Sequence, residues 1–181
     1  MTEKDLVSKL SEKLDEALND QAVLNEIWIT NGTSDVETLY DLIGGRRYRI
    51  FKDTAEWNPN KGMVIDIMGG MVPGIVLRSE GSGENRIYIE VKETAPLTYG
   101  KEDSQITRYL LHLLAMTTDK PKKCPDDIRR AVLLAAPSQW FDEPRNDEVW
   151  EYFLETYRGL ASAFNVTLGE IRLDWRWSGS V

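Results

Sequence analysis

The chain has 181 residues, a formal net charge of −8, one cysteine and one histidine. This length suits one domain with a sizeable core, and the composition excludes an internal disulfide, a multi-cysteine zinc site and a site built from several histidines. Carboxylates, lysines and hydroxyls remain as the reactive groups, and the oxygens among them favour Mg²⁺ or Mn²⁺. Because the chain is acidic, we expect it to bind DNA either through a local concentration of its 22 basic residues or only weakly.

The sequence gives no indication of a membrane protein. No apolar run approaches the roughly 20 residues that a membrane-spanning helix needs. The first ten residues are charged and contain no apolar signal core. We therefore expect no membrane partner and a cytoplasmic location.

The first predicted elements are two helices. Leucines at i, i+4 spacing predict an amphipathic helix over residues 3–20. A second, short helix is predicted to start at residues 33–35, to bury Leu39 and Ile43, and to stop at the glycine pair 44–45. Glu37 falls on this short helix.

Strands dominate the middle of the chain. Residues 46–51 have the pattern of a strand. Three further extended segments, 63–68, 74–78 and 86–92, are joined by short turns and predict an antiparallel three-strand meander. The next segment, 104–116, has the spacing and the thick apolar face of a helix.

The last third of the chain alternates between strands and a helix. Residues 129–137 form a continuous apolar run, which is typical of a strand buried on both faces. A helix is predicted over 146–164, followed by a strand over 170–177 with strict alternation. Trp175 and Trp177 share one face of that strand and indicate core packing or a homodimer interface, with a base-stacking platform as the alternative.

One strand carries a pattern that suits phosphodiester chemistry. Alternate residues of a strand share a face, so Tyr88, Glu90 and Lys92 are expected side by side. Glu90 would bind a divalent cation, and the Val91 carbonyl could add a ligand. Lys92 would orient or deprotonate the attacking water and offset charge on the phosphorane. The alternative is a solvated strand face on which the two charges neutralise each other.

The neighbouring segments resemble a known family. The order VPGIVLR, polar hairpin, IYIEVK resembles the signature of the PD-(D/E)xK nuclease superfamily. The helix segment QITRY, with Gln105 and Tyr109, resembles the QxxxY motif of the RecB-like exonuclease branch. The i, i+4 spacing places these two side chains on one helix face, where they could reach a phosphate or a carboxylate. The superfamily often carries an acidic residue before the meander, a position that Glu37 could fill.

The sequence departs from this signature at one metal ligand. Gly74 stands where the family has the aspartate of Pro-Asp. Residues 74 and 90 are symmetric about Ser82, so a regular hairpin places Gly74 opposite Glu90. Asp66 is symmetric with Gly74 about residue 70, so a regular meander would align Asp66, Gly74 and Glu90 in one cross-strand row. We hypothesise that Asp66 replaces the missing ligand.

The resemblance implies a single domain over residues 1–181, in which helix 3–20 is an addition to the core. Its fold would be α/β, a restriction-endonuclease-like core whose mixed sheet contains an antiparallel three-strand meander flanked by helices. Its function would be metal-dependent DNA cleavage, with Gly74 as a possible cause of lost activity. The alternatives are an inactive nuclease-fold protein that binds nucleic acid or a protein partner, and an unrelated α/β protein with helices in place of strands between residues 63 and 92.

Overall fold

The computed structural model of the protein describes residues 2–33, 35–52, 73–80, 85–97, 104–115 and 128–173. Its helices are α1 (Glu3–Asn19), α2 (Gln21–Leu24), α3 (Leu39–Ile43), α4 (Gln105–Ala115), α5 (Ser138–Asp142) and α6 (Pro144–Ala163). Its strands are β1 (Tyr48–Lys52), β2 (Ile75–Ser79), β3 (Arg86–Val91), β4 (Arg130–Ala136) and β5 (Val166–Arg172). No helix among these residues is both long enough and apolar enough to cross a bilayer.

The strands form one five-stranded mixed sheet in the order β1-β2-β3-β4-β5. Strands β1, β2 and β3 are antiparallel neighbours, whereas β3, β4 and β5 run parallel. The parallel connections pass through helices, as the parallel geometry requires. The predicted mixed α/β sheet flanked by helices is therefore confirmed, and strands rather than helices occupy residues 75–79 and 86–91.

The neighbour of β2 differs from the prediction. We expected residues 63–68 beside β2, but β1 occupies that edge, with Lys52 opposite Ile75. Residues 63–68 themselves lie outside the described residues. Strand alternation predicts both candidates equally well, so the choice between them depends on tertiary packing.

Two apolar cores cover the two faces of the sheet. Helices α1, α2 and α3 pack on the face that carries Ile87, Ile89 and Val91. Helices α4, α5 and α6 pack on the face that carries Tyr88 and Val132. Every residue of β4 is buried, which confirms the interpretation of its apolar run as a strand covered on both sides.

Two boundaries were predicted wrongly. Helix α3 begins only after Thr38, its N-cap residue, so Glu37 precedes the helix instead of lying on it. Strand β5 begins at Val166 and includes Gly169, which sequence patterns treat as a strand breaker. A Cβ atom at residue 169 would lie 2.6 Å from the side chain of Ile29, so glycine permits the close approach of the segment around Ile29.

Candidate functional site

The site is built on the end of β3. Alternation along the strand directs Glu90 and Lys92 to the same side as Tyr88, as predicted. Lys92 follows the last strand residue, and its backbone N–H donates to the carbonyl of Ala135 on β4. Both functional side chains are buried, with 6% of each residue exposed. The alternative interpretation, a solvated strand face for Glu90 and Lys92, is therefore wrong.

Helix α4 brings the second predicted motif to the same place. Gln105 and Tyr109 are one helical turn apart and both are buried. The Tyr109 hydroxyl donates a hydrogen bond of 2.7 Å to Oε2 of Glu90. The Gln105 side chain also hydrogen-bonds to Glu90. Two motifs that are separate in the sequence therefore meet at one carboxylate.

Lys92 lies close to two carboxylates. Its Nζ is 4.0 Å from Oε1 of Glu90 and 3.9 Å from Oε1 of Glu3. Glu3 lies in the first turn of α1, where sequence reasoning missed it, since an acidic residue there is commonly a partner of the helix dipole. Its Oε1 is buried and has no hydrogen-bond partner among the residues that the structure describes. A buried carboxylate oxygen of this kind is a suitable ligand for a cation.

Burial dominates the electrostatics of Glu90. It raises the pKa of the Glu90 carboxyl from 4.5 to about 7, and the charge of Glu3 adds to the increase. The hydrogen bonds from Tyr109 and Gln105 and the charge of Lys92 act in the opposite direction. Glu90 is therefore a carboxyl group that exchanges its proton near neutral pH.

This pKa makes protein stability depend on pH. Between pH 4.5 and 7, Glu90 holds a proton in the folded state but not in the unfolded state. The stabilisation that results from this protonation is therefore fully present below pH 4.5 and is lost as pH rises through 7. The free energy of unfolding decreases by about 3 kcal/mol over this range. Urea denaturation measures the free energy of unfolding of the unaltered protein and of Glu90→Gln. The value for the unaltered protein minus the value for Glu90→Gln should decrease by this amount between pH 4.5 and pH 8.

His112 has the opposite pH dependence, because burial lowers its pKa to about 4. It is present in both proteins, so its contribution cancels in the comparison. A difference between the protein and Glu90→Gln that stays constant from pH 4.5 to 8 would contradict the prediction.

Gly74 lies where the hairpin symmetry predicted. The register pairs Ile75 with Ile89, which places residue 74 opposite Glu90. A Cβ atom at residue 74 would contact the Val91 side chain at 3.5 Å and the Ile89 carbonyl at 3.7 Å, both ordinary van der Waals distances. The backbone there can accept a side chain, but glycine supplies no oxygen to a cation.

The structure does not place the side chains of two other predicted cation ligands, Glu37 and Val91, beside Glu90. Glu37 is exposed, and its backbone N–H donates to the Asp41 carboxylate. Val91 is buried in the core beneath α1, and the ligand role of its carbonyl stays a prediction. Asp66 lies outside the described residues. Its proposed alignment with Gly74 depended on the strand neighbour that β1 replaces.

The described residues contain no group of three His, Cys, Asp or Glu side chains that could hold a metal. Glu90 and Glu3 fit Mg²⁺ or Mn²⁺ by donor type, since both offer carboxylate oxygens. The set lacks the oxygen that an aspartate at residue 74 would add.

Trp175 and Trp177, on which the predicted dimer depends, lie outside the described residues. No family model, curated protein or solved structure matches this chain.

Proposed function

We propose that this protein is a metal-dependent DNA nuclease of the PD-(D/E)xK type whose cation site is weakened by Gly74. The observation that carries the proposal is the contact between Tyr109 and Glu90, at 2.7 Å. It joins the helix motif and the strand motif on which the resemblance rests, although 18 residues separate the two side chains in the chain. If the Glu and the Lys stood on this strand by chance, we would not expect both side chains of the QxxxY motif to hydrogen-bond to the Glu.

The proposal includes the fold. A restriction-endonuclease-like core is supported by the order of the elements: helices, an antiparallel meander with the motif on its last strand, a helix, and a parallel strand. DNA is the proposed partner and the cytoplasm the proposed location. A homodimer through the segment with Trp175 and Trp177 is proposed as the oligomeric state.

Each residue of the site has a defined part. Glu90 and Glu3 would hold Mg²⁺ or Mn²⁺, which when bound polarises the phosphodiester and acidifies a water. Lys92 orients that water and offsets the negative charge that develops on the phosphorane. Tyr109 and Gln105 fix the Glu90 carboxylate through hydrogen bonds. Since a ligand carboxylate must be deprotonated, cation affinity should rise as pH passes 7.

One observation favours a second function. The described residues contain no three-carboxylate site, and residue 74 supplies no oxygen. A nuclease-fold protein that binds nucleic acid or a protein partner without cutting would need no cation. Divalent metal binding therefore distinguishes the two functions.

Manganese titration tests the proposal. Isothermal titration calorimetry at pH 8 should show Mn²⁺ binding that weakens at least about tenfold in Glu90→Gln, because the variant loses the charged ligand. In parallel, plasmid and single-stranded DNA should be cut in Mg²⁺ by the protein and not by Lys92→Ala. Lys4→Ala, at an exposed position of the same charge, is the matched control and should cut normally.

The outcomes separate the two functions. Absence of both Mn²⁺ binding and cleavage, in the protein and in Gly74→Asp alike, would remove the nuclease proposal and leave the binding function. Cleavage that persists in Lys92→Ala would show that the residues of this site do not perform it.

A further inference from the structure

Four arginines form a row across the sheet. Arg49 on β1 pairs with Arg78 on β2, Arg78 pairs with Arg86 on β3, and Arg86 pairs with Arg130 on β4. Cross-strand partners share a face and adjacent strands lie about 4.8 Å apart. The arginine row therefore concentrates four positive charges on one face, at the opposite end of β3 from Glu90.

Such a row is costly unless negative charge faces it, because like charges opposite each other destabilise a sheet. Burial lowers the pKa of Arg78, and the charges of Arg86 and Arg49 lower it further. Helix α4 packs against this part of β3, since Nδ1 of its residue His112 lies 2.7 Å from the Tyr88 hydroxyl.

The outer half of the row faces a cavity. Arg86 and Arg130 are buried, whereas Arg78 is half-buried and Arg49 is exposed. The cavity measures about 370 Å³, and we call it the arginine pocket. It is lined by Arg49, Phe51, Arg78, Ser79 and Glu80. Among the described residues, no carboxylate forms an ion pair with either lining arginine.

The chemistry of the arginine pocket suits an oxyanion. Two guanidinium groups can each form paired hydrogen bonds to phosphate oxygens. The Arg49 guanidinium lies 5.3 Å from the centre of the Phe51 ring, which restricts its orientation. Among the described lining residues, two arginines accompany the single carboxylate of Glu80, so these residues together carry a net positive charge.

We propose that the arginine pocket binds a phosphate group of a nucleic-acid backbone, at a distance from the Glu90 site. Arg78 is level with Arg86, four strand residues before Glu90, so the arginine pocket lies about 13 Å from the Glu90 site along the strand direction and one to two strands to the side. That distance corresponds to roughly four steps of a duplex strand. The identification of the anion as nucleic acid rests on the proposed function, whereas the binding of a phosphate-type anion does not.

Fluorescence anisotropy tests the pocket. A labelled 20-base-pair DNA duplex is titrated in EDTA, so that binding is measured without cleavage. Arg49→Gln/Arg78→Gln should weaken binding about tenfold and reduce the slope of log affinity against log salt by about 2. Arg145→Gln/Arg158→Gln removes the same charge from exposed positions of α6 and should change both values much less.

The outcomes are distinct from those of the proposed function. Equal effects of the two double variants would overturn the arginine pocket as a specific site. Inorganic pyrophosphate is tested separately for its effect on the stability of the protein. If pyrophosphate stabilises the protein against unfolding while the duplex does not bind, the assignment of the anion to a nucleic-acid backbone is overturned. Weakened duplex binding in the pocket variant supports the inference even if neither the protein nor any Glu90 or Lys92 variant shows cleavage.

Discussion

Replacing Gly74 by aspartate is expected to raise Mg²⁺-dependent DNA cleavage by at least about 100-fold. The register of β2 and β3 places residue 74 beside Glu90 at the end of the hairpin. An aspartate there would add the carboxylate that the cation site lacks. Cation catalysis contributes several kcal/mol to stabilising the transition state, and about 1.4 kcal/mol corresponds to a tenfold change in rate.

The geometry leaves room for this change. The added Cβ would meet its nearest neighbours at 3.5 Å or more, so folding should not be disturbed. Gly74→Ala is the matched control, because it adds the Cβ without the carboxylate and should leave the rate unchanged. Lys92→Ala in the Gly74→Asp background is the blank.

Supercoiled plasmid and single-stranded DNA are suitable substrates for this comparison. Cleavage by Gly74→Asp alone would identify the present chain as a disabled nuclease. Equal cleavage by the unaltered protein would mean that another group, with Asp66 as the candidate, already supplies the ligand. If neither cuts, the assignment of residue 74 to a cation site is wrong.

Replacing Glu170 by alanine is expected to lower the free energy of unfolding by about 3 to 4 kcal/mol. Glu170 is buried on β5 and accepts a hydrogen bond of 2.8 Å from the indole N–H of Trp150. It also accepts hydrogen bonds from Asn31, at 3.1 Å, and from Arg172, at 3.1 Å. Alanine would leave the Trp150 N–H in the core without this acceptor and would remove one of the two carboxylates to which the Asn31 amide donates.

Urea denaturation measures this effect. Glu155→Ala is the control, since Glu155 is exposed on α6, and it should change stability by less than about 0.5 kcal/mol. Glu170→Gln should fall between the two, because the amide oxygen can still accept from Trp150 while its NH₂ faces other donors. A loss below 1 kcal/mol in Glu170→Ala would show that this carboxylate does not hold the segment around Asn31 in place.

Local patterns in the sequence determined the core of the candidate site. Period-two alternation assigned Glu90 and Lys92 to one face of β3, and period 3.6 assigned Gln105 and Tyr109 to one face of α4. Hairpin symmetry about Ser82 gave the register of β2 and β3. These predictions succeed because the geometry of a strand, a helix or a short hairpin fixes side-chain direction within a few residues.

Only the tertiary structure decided which distant segments meet. It placed Glu3 beside Lys92, left Glu37 exposed before α3, and made β1 the neighbour of β2. The arginine row arises in the same way, since four strands contribute one residue each. The periodicity of the residues predicts which side chains share one face of a helix or strand. It does not predict which other element lies beside that helix or strand. The neighbour is selected by the summed burial and hydrogen bonding of the whole sheet, which no short segment encodes.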